Sequence, residues 1–491
     1  MTELASTLYR VEAVRRIEAQ AMRCPGHDAW SLMQRAGAAA FARLRACWPA
    51  ARRIAVVCGS GNNGGDGYVV ATLARAGGWQ VALIRIGAEP EREPAVQALA
   101  QWREGGGVDA DGLAALAEAD VVVDALFGIG LDRAPEGAAC EAIDAMNRAG
   151  KPVFALDVPS GLNADTGQAP GACVRAASTL SFIAWKRGSW TGVAAAMCGE
   201  RELAGLDVPE AAFADVAADG ALMRSSVLKH ALPPRVRDAH KGRAGHVLVV
   251  GGDSGFGGAA SIAASAAARA GAGLVSVATR TEHVPALLAR QPELMARGVS
   301  SANELDALID RVDVIALGPG LGQSPWSLAL AQRACASGKP LVLDADALNL
   351  LAMRRIEPGG ECLLTPHPGE AARLLGTTTD DIARDRFAAV RALAEQFDAV
   401  VVLKGAGSLI ADVDGAVRLC PYGNPGMASG GMGDALTGVV AALWAQGRPC
   451  FDAAHVGVLV HALAGDRAAR AGERGLLASD LIAELRAVVN P

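Results

Sequence analysis

Apolar residues in this chain gather into short continuous runs rather than alternating ones. In the amino-terminal half the runs are Ile54–Cys58, Val81–Ile86, Val121–Asp124, Val153–Asp157 and Thr179–Ile183. In the carboxy-terminal half they are His246–Val250, Leu274–Ala278, Val314–Leu317, Leu341–Asp344, Cys362–Leu364 and Ala399–Leu403. Runs of this length predict strands buried on both faces, as in a parallel sheet. Ala-rich helical stretches separate them, and Gly-rich turns follow several runs directly, as βα loops do. The pattern predicts an α/β protein in which helices cover both faces of each sheet, a three-layer αβα arrangement.

The first alternation runs out near Asp207–Pro209. The following segment, AAFADVAADGALMRSS, has no clear apolar period. The chain turns at Pro233–Pro234, and a fresh strand–glycine–helix unit opens at His246. A boundary near residue 215 is expected, with domains over 1–215 and 216–491. No internal repeat relates the halves, so the chain reads as a fusion of unlike domains.

Composition narrows the function. With 491 residues, 51% of them hydrophobic, two substantial cores are available. A net charge of −6 leaves no basic field for a nucleic-acid backbone, so an anionic substrate must be held by local devices. The ten cysteines include no CxxC pair, and the eight histidines form no HExxH or HxH cluster. A zinc or dithiol centre is therefore not expected. The segment MTELASTLYRVEAVRRIEAQAM carries Glu3, Glu12 and Glu18 and has no signal-peptide h-region. The most apolar late stretch, Ala435–Ala445, falls short of the ~20 residues of a membrane span. A cytoplasmic protein is expected, with small-molecule partners, neither nucleic acid nor membrane, and self-association into a homo-oligomer.

The strongest local signal is Cys58-Gly-Ser-Gly-Asn-Asn-Gly-Gly-Asp-Gly67, between a strand and a helix expected to begin near Asp66. Its glycines permit positive φ and close approach of backbone to ligand, and the amides at the helix start favour an anion. Without a partner acid in the right context it is not the dinucleotide fingerprint; Glu89 lies in a Pro-rich loop. Two further strands end in aspartate, VVVDALFGIG and VFALDVPSG. Ligand sites of open α/β sheets lie at carboxyl strand ends. Asp124 and Asp157 are thus expected beside the glycine loop, although either alone could simply cap its turn. Oxygen donors such as Asn63, Asp124 and Ser160 suit a hard cation.

GSGNNGGDG, DALFGIG and LDVPSG, in this order, resemble the NAD(P)H-hydrate epimerase domain. LMQRAG at Leu32–Gly37 resembles that family's amino-terminal helix, and the resemblance spans about residues 8–210. It implies a Rossmann-like sheet. It also implies contacts to a hydrated nucleotide from Asn62, Asn63, Gly64, Gly65 and Asp66, and from Gly128, Ile129, Gly130, Leu131, Asp132, Arg133 and Ala134. Asn63, Asp124 and Ser160 would bind potassium. Asp157 would touch the hydrated nicotinamide ring and is the expected acid/base.

The second half carries HKGRAG, GGDSGFGGAA, LGPGLG, LDADAL, LTPHPGE, LKGAGS and ASGGMGD. Gly430, Gly431 and Gly433 lead into a helix read as DALTGVVAALW. Amides at such a start can hold the charge that develops on a moving phosphoryl group. Asp434 in the first turn is placed to take a proton from a substrate hydroxyl, or is a plain helix-start charge. In LKGAGS, Lys404 follows a strand and is expected to reach a phosphate. His367, between two prolines, is either a ligand contact or structural.

HKGRAGHVLVVGG, LTPHPGE and GGMGD resemble the ADP- or ATP-dependent NAD(P)H-hydrate dehydratase domain, a branch of the ribokinase-like superfamily, over about residues 225–488. The resemblance implies that Ala259, Gly320, His367 and Asp434 bind the hydrated nucleotide. Lys404, Gly405, Ala406, Gly407, Ser408 and Gly433 would bind the adenine nucleotide, with magnesium bridging its phosphates. Together the halves imply a bifunctional repair enzyme acting on NADHX and NADPHX. The first domain would interconvert R and S epimers, and the second would dehydrate the S form at the expense of ADP. Two alternatives stay open: a small-alcohol kinase with a regulatory domain, and a first domain reduced to a binding scaffold.

Overall fold

In the computed structural model, which describes residues 6–131 and 133–491, the chain divides into two compact units, Met1–Ala221 and Leu222–Pro491. The first is built on a six-stranded parallel sheet. Its order is Gln80–Arg85, Arg53–Cys58, Val121–Ala125, Val153–Leu156, Ser178–Phe182 and Glu200–Ala204. Strand Arg53–Cys58 lies between its next strand on one side and Val121–Ala125 on the other. The carboxyl ends of these two central strands therefore form the switch point, where open α/β sheets bind ligands. Helices Ala29–Cys47 and Asn62–Ala76 pack against the sheet through Leu32, Ala36, Ala40, Val70 and Ala74. Asp28 starts the former by accepting a hydrogen bond from the Ser31 amide.

The second unit repeats the logic with a different topology. Its strand order is Met295–Gly298, Leu274–Thr279, His246–Val250, Val314–Leu317, Leu341–Leu343, Cys362–Leu364, Val400–Leu403, Ser408–Ala411 and Val417–Cys420. Pairing is parallel through Val400–Leu403 and antiparallel over the last two strands. The switch point lies between His246–Val250 and Val314–Leu317. Helix Met432–Ala445 is buried along most of its length and crosses Gly257–Arg269 closely, since a Cβ at Gly438 would lie 2.0 Å from the Ala263 carbonyl oxygen.

The eleven strands expected from apolar runs all form. Strands with little continuous apolar signal went unpredicted: the polar-faced edge strands Glu200–Ala204 and Met295–Gly298, the short Thr7–Tyr9 and Trp185–Lys186, and the hairpin Ser408–Ala411 with Val417–Cys420. Edge positions are half solvated and do not require an apolar run. Two helix starts also differ. The glycine-loop helix begins at Asn62, not near Asp66, and the late helix begins at Met432, not Asp434. Glycine's poor helix propensity is overridden by packing: a Cβ at Gly67 would lie 2.6 Å from the Ala125 side chain. All ten cysteines are free thiols. Among the described residues, no helix is long and apolar enough to cross a membrane.

Candidate active sites in the two units

At the first switch point, the loop after Cys58 and the loop after Ala125 meet. The Gly59 amide donates to the Ala125 carbonyl at 3.1 Å, and a Cβ at Gly59 would lie 2.1 Å from the Leu126 carbonyl oxygen. A cavity of 660 Å³ opens beside them. The glycine loop contributes Ser60, Gly61, Asn62, Asn63 and Asp66 to its wall, the second loop contributes Gly128, Ile129, Gly130, Leu131, Arg133 and Ala134, and Asp157 and Lys186 complete one side. Gly61 starts the helix without a side-chain cap, so its leading amides are left for a ligand.

Asp157 follows its strand with φ 66, a left-handed conformation that a non-glycine residue adopts only where its surroundings enforce it. Its Oδ1 accepts a hydrogen bond from the Phe182 amide at 3.2 Å and one from Lys186 Nζ. Lys186 is 1% exposed and also donates to Ser181 Oγ at 3.2 Å and the Phe182 carbonyl at 2.7 Å. The lysine comes from the short strand Trp185–Lys186. Sequence reasoning missed it; a lysine three residues beyond the apolar run Thr179–Ile183 was the only signal. Glu18 and Arg15, on helix Val11–Ala21, also line the cavity and were missed.

Asp124 is fully buried. Ser160 donates to it twice, from its amide to Oδ2 at 2.8 Å and from Oγ to Oδ1 at 2.6 Å, and the Leu126 amide donates to Oδ1 at 3.2 Å. Burial pushes its carboxyl up to about 6 despite these bonds, and no cation is among the groups acting on it. The Phe127 amide donates to Ser160 Oγ at 2.8 Å, and a Cβ at the next residue, Gly128, would lie 3.3 Å from Asn63 Cβ. One loop thus ties Asn63, Asp124 and Ser160 together. Both polar atoms of the Asn63 amide are buried without a hydrogen-bond partner.

Two of the expected contacts are set back from the cavity wall. Gly64 and Gly65 do not line the cavity. A Cβ at Gly64 would lie 2.0 Å from the Gly59 carbonyl oxygen, and one at Gly65 would lie 2.3 Å from Met33. Their side-chain directions face packed protein, so glycine there serves close packing. Asp132 lies outside the described residues.

In the second unit, the loops after His246–Val250 and Val314–Leu317 interlock. The Gly252 amide donates to the Pro319 carbonyl at 3.0 Å, and the Asp253 amide donates to Gly320 at 2.8 Å. A Cβ at Gly320 would lie 3.0 Å from Ala259, so these two expected contacts are neighbours. Helix Met432–Ala445 starts from Gly431, at φ 88 and without a side-chain cap. Gly433 is thus helical rather than part of the preceding turn. Lys404 Nζ bonds Asp344 Oδ1 at 2.7 Å and lies 3.8 Å from Glu370. It is committed to carboxylates, and a Cβ at Gly433 would lie 3.3 Å from it. Thr437 Oγ1 donates to Asp344 Oδ2 at 2.8 Å.

The electrostatics of this cluster follow from its charges. Burial, with repulsion from Asp344, lifts Asp434 to about 6, and Lys404 partly offsets this. Burial lifts Glu370 to about 7. Burial alone would depress Lys404, but Asp344 and Glu370 outweigh it and raise the ammonium. Asp344 itself is held below its usual range; burial opposes this, and Lys404 overcomes it. His367 caps helix Pro368–Leu375, its Nδ1 accepting from the Gly369 amide at 3.0 Å, with Nε2 3.4 Å from Glu370. Buried Arg386 holds the LKGAGS loop by donating to the carbonyls of Leu403, Lys404 and Gly407, each at 3.3 Å. Gly405 and Gly407 take positive φ there, 136 and 67. Asp344, Glu370 and Arg386 went unassigned in the sequence, although LDADAL and LTPHPGE contain the first two.

Residues 247–487 match the family described as NAD(P)H-hydrate dehydratase, and residues 29–188 match the YjeF-related protein N-terminus. The bifunctional NAD(P)H-hydrate repair enzyme of Coxiella burnetii is 46% identical over 489 residues, covering 99% of this chain and 100% of that protein. The chain belongs to the bifunctional NAD(P)H-hydrate repair enzymes. The Escherichia coli repair enzyme is 42% identical, covering 99% of this chain and 94% of its own length. The second unit resembles the ADP/ATP-dependent NAD(P)H-hydrate dehydratase of Bacillus subtilis, co-crystallised with ATP and Mg2+. The TM-score is 0.50 at 30% identity, covering 54% of this chain and 96% of that one. A ribokinase-like superfamily protein of Enterococcus faecalis gives a TM-score of 0.52 at 27% identity, covering 55% and 95%. As a repair enzyme, the chain joins an epimerase to a dehydratase with a ribokinase-like fold. The small-alcohol kinase and scaffold readings are set aside.

Proposed function

We propose that the cavity of the first unit interconverts the R and S epimers of hydrated NADH and NADPH, with Asp157 as acid/base. The observation that supports this most directly is the Asp157–Lys186 pair at the wall of a cavity lined by two glycine loops. Lys186 and the Phe182 amide hold the Asp157 carboxylate in one orientation. The glycine loop, its helix amides and the backbone of Gly128–Ala134 bind the nucleotide.

Asn63, Asp124 and Ser160 hold potassium. The fit rests on a buried carboxylate with no cationic neighbour acting on it and on a buried Asn63 amide with no partner. Oxygen-only donors suit a hard monovalent ion. When bound, potassium supplies the counter-charge that Asp124 lacks and fixes the loop that carries Gly128.

In the second unit Ala259, Gly320, His367 and Asp434 bind the S epimer. Residues Lys404–Ser408 and Gly433 bind ADP, whose phosphates carry magnesium, as is usual for that ion. Asp434 takes the proton of the substrate hydroxyl while the hydroxyl accepts a phosphoryl group from ADP, releasing AMP. Loss of phosphate from that carbon, with loss of a proton from the adjacent ring carbon, then restores the double bond of the dihydropyridine; phosphate leaves far more readily than hydroxide. Lys404, already paired with Asp344, exchanges or shares that partner when the nucleotide arrives. The uncapped helix start at Gly431 supports this placement of the transferred group.

The enzyme is assigned to the cytoplasm as a homo-oligomer; sedimentation of the purified chain tests the second point. The test of both activities is incubation with racemic hydrated NADH, potassium, magnesium and ADP, following recovery of reduced-nicotinamide absorbance. Full recovery requires both sites. A plateau near half recovery would remove the epimerase assignment, and no recovery with either ADP or ATP would remove the dehydratase assignment.

A further inference from the structure

We infer that Asp66 is a second acid/base group of the epimerisation, serving the ring face that Asp157 does not reach. This rests on the assignment of Asp157 above. Inverting a hydroxyl-bearing carbon by loss and return of water takes a proton donor for the departing oxygen. It also takes a proton acceptor for the water that adds to the opposite face. One immobile carboxyl serves one face of a substrate bound in one orientation.

Asp157 is immobile: its backbone is locked in the left-handed region, and its Oδ1 is held by Lys186 and the Phe182 amide. Lys186 is not the missing donor, because its three protons are spent on Asp157, Ser181 and the Phe182 carbonyl. Asp66 shares the cavity, is 9% exposed, and projects from the second turn of the rigid helix Asn62–Ala76. Among the described residues, no hydrogen-bond donor reaches its carboxyl. The one cation acting on it is Lys186, already bound to Asp157. Burial, then repulsion from Asp157 and Glu18, holds Asp66 well above the usual carboxyl range. Two carboxyls in one cavity, one bonded to a lysine and the other without a hydrogen-bond donor, are differently placed for giving and taking a proton, as an acid/base pair requires. Glu18 is the other carboxyl nearby, but it has Arg15 as a counter-charge on its own helix.

From one epimer, protonated Asp66 gives its proton to the departing hydroxyl. The C–O bond breaks with its electron pair going to oxygen, leaving water and a cationic iminium ring. Asp157 takes a proton from water adding to the other face as the new C–O bond forms. Asp66 ends as carboxylate and Asp157 as acid, and the reverse turnover runs with the roles exchanged.

The experiment uses the full chain without ADP, each separated epimer of hydrated NADH, and 18O-labelled water, reading label by mass spectrometry and epimer identity by chromatography. Asp66→Asn and Asp157→Asn should each slow inversion by about 10²–10⁴-fold. Each should still exchange label into one epimer without inverting it, and the epimer should differ between the two variants. Asp66→Glu, which keeps the acid, should recover part of the inversion. Glu18→Gln, which leaves both proposed acid/base carboxyls in place, should still exchange label into both epimers, even where its rate is lower. If Asp66→Asn inverts at the normal rate, or only raises KM with kcat unchanged, Asp66 is a binding contact and the inference is wrong. Single-epimer exchange by Glu18→Gln instead would move the role to Glu18. Normal inversion by Asp157→Asn would sink the Asp157 assignment itself, and the inference with it.

Discussion

Asp434 concentrates the chemistry of the second unit. Its carboxyl is raised to about 6 by burial and by Asp344, and a general base works only when deprotonated. Dehydration, read as kcat/KM, should therefore fall as pH drops through about 6 and level off above it. Asp434→Asn keeps the size of the side chain but removes the base. It should cost about 10²–10⁴-fold in dehydration, remove the acidic limb of the pH profile, and leave ADP binding within a few-fold. Retained dehydration together with lost thermal stability would make Asp434 a helix-start charge worth about 0.3–1 kcal/mol. Asp124 poses the parallel question in the first unit. Asp124→Asn keeps one acceptor oxygen, enough for the Ser160 hydroxyl and the Leu126 amide, loses the oxygen that accepts from the Ser160 amide, and removes the only formal charge of the potassium set. The potassium concentration for half-maximal epimerisation should rise at least about tenfold, by the loss of ~1.4 kcal/mol of ion attraction, while dehydration is unaffected. An unchanged potassium dependence would remove Asp124 from the ion site.

Both sites depend on loops whose shape is enforced by contacts beyond their own sequence. The helix Asn62–Ala76 lies so close to its own preceding turn that a Cβ at Gly64 would sit 2.0 Å from the Gly59 carbonyl. Gly64→Ala must push the helix away from that turn. Overpacking of this kind costs about 1–3 kcal/mol, and epimerisation should fall with it while dehydration holds. Thermal unfolding together with both assays checks this; an intact epimerase would show that the turn yields. The LKGAGS loop depends instead on Arg386, a buried guanidinium that burial brings down to about 10. It bonds three loop carbonyls. Arg386→Met keeps much of the side chain's length and apolar stem but leaves those carbonyls without it. The KM for ADP should rise severalfold more than the KM for the hydrated nucleotide. Equal changes in both would mean that the arginine supports the unit rather than the nucleotide loop.

Each unit is a compact body with its own cluster of strand-end residues. The residues of each proposed active site fall wholly within its own unit, so the activities should separate. A fragment starting at Leu222 should dehydrate the S epimer and leave about half of a freshly prepared racemate. Added fragment 1–221 should release the remainder. Rapid consumption of both epimers by the carboxy-terminal fragment alone would contradict the division of labour.

Local patterns in the sequence determined the buried strands and the glycine loops that follow them. Burial on both faces of a sheet writes itself into a continuous apolar run, and a close backbone approach into glycine, within a few residues. The strand-end aspartates Asp124 and Asp157 and the helix-start Asp434 were legible for the same reason. The partners of such charges were not. Lys186 bonds Asp157 across 29 positions, and Lys404 bonds Asp344 across 60. Nothing local to Lys186 or Lys404 indicates which strand end will stand beside it. The direction of Gly64 and Gly65 into packed protein, the early start of two helices and the lack of a partner for Asn63 likewise emerge only when the sheets assemble. Hydrophobic burial acts on each segment's own pattern, whereas charge pairing and desolvation depend on which segments become neighbours, and the tertiary structure alone decides that.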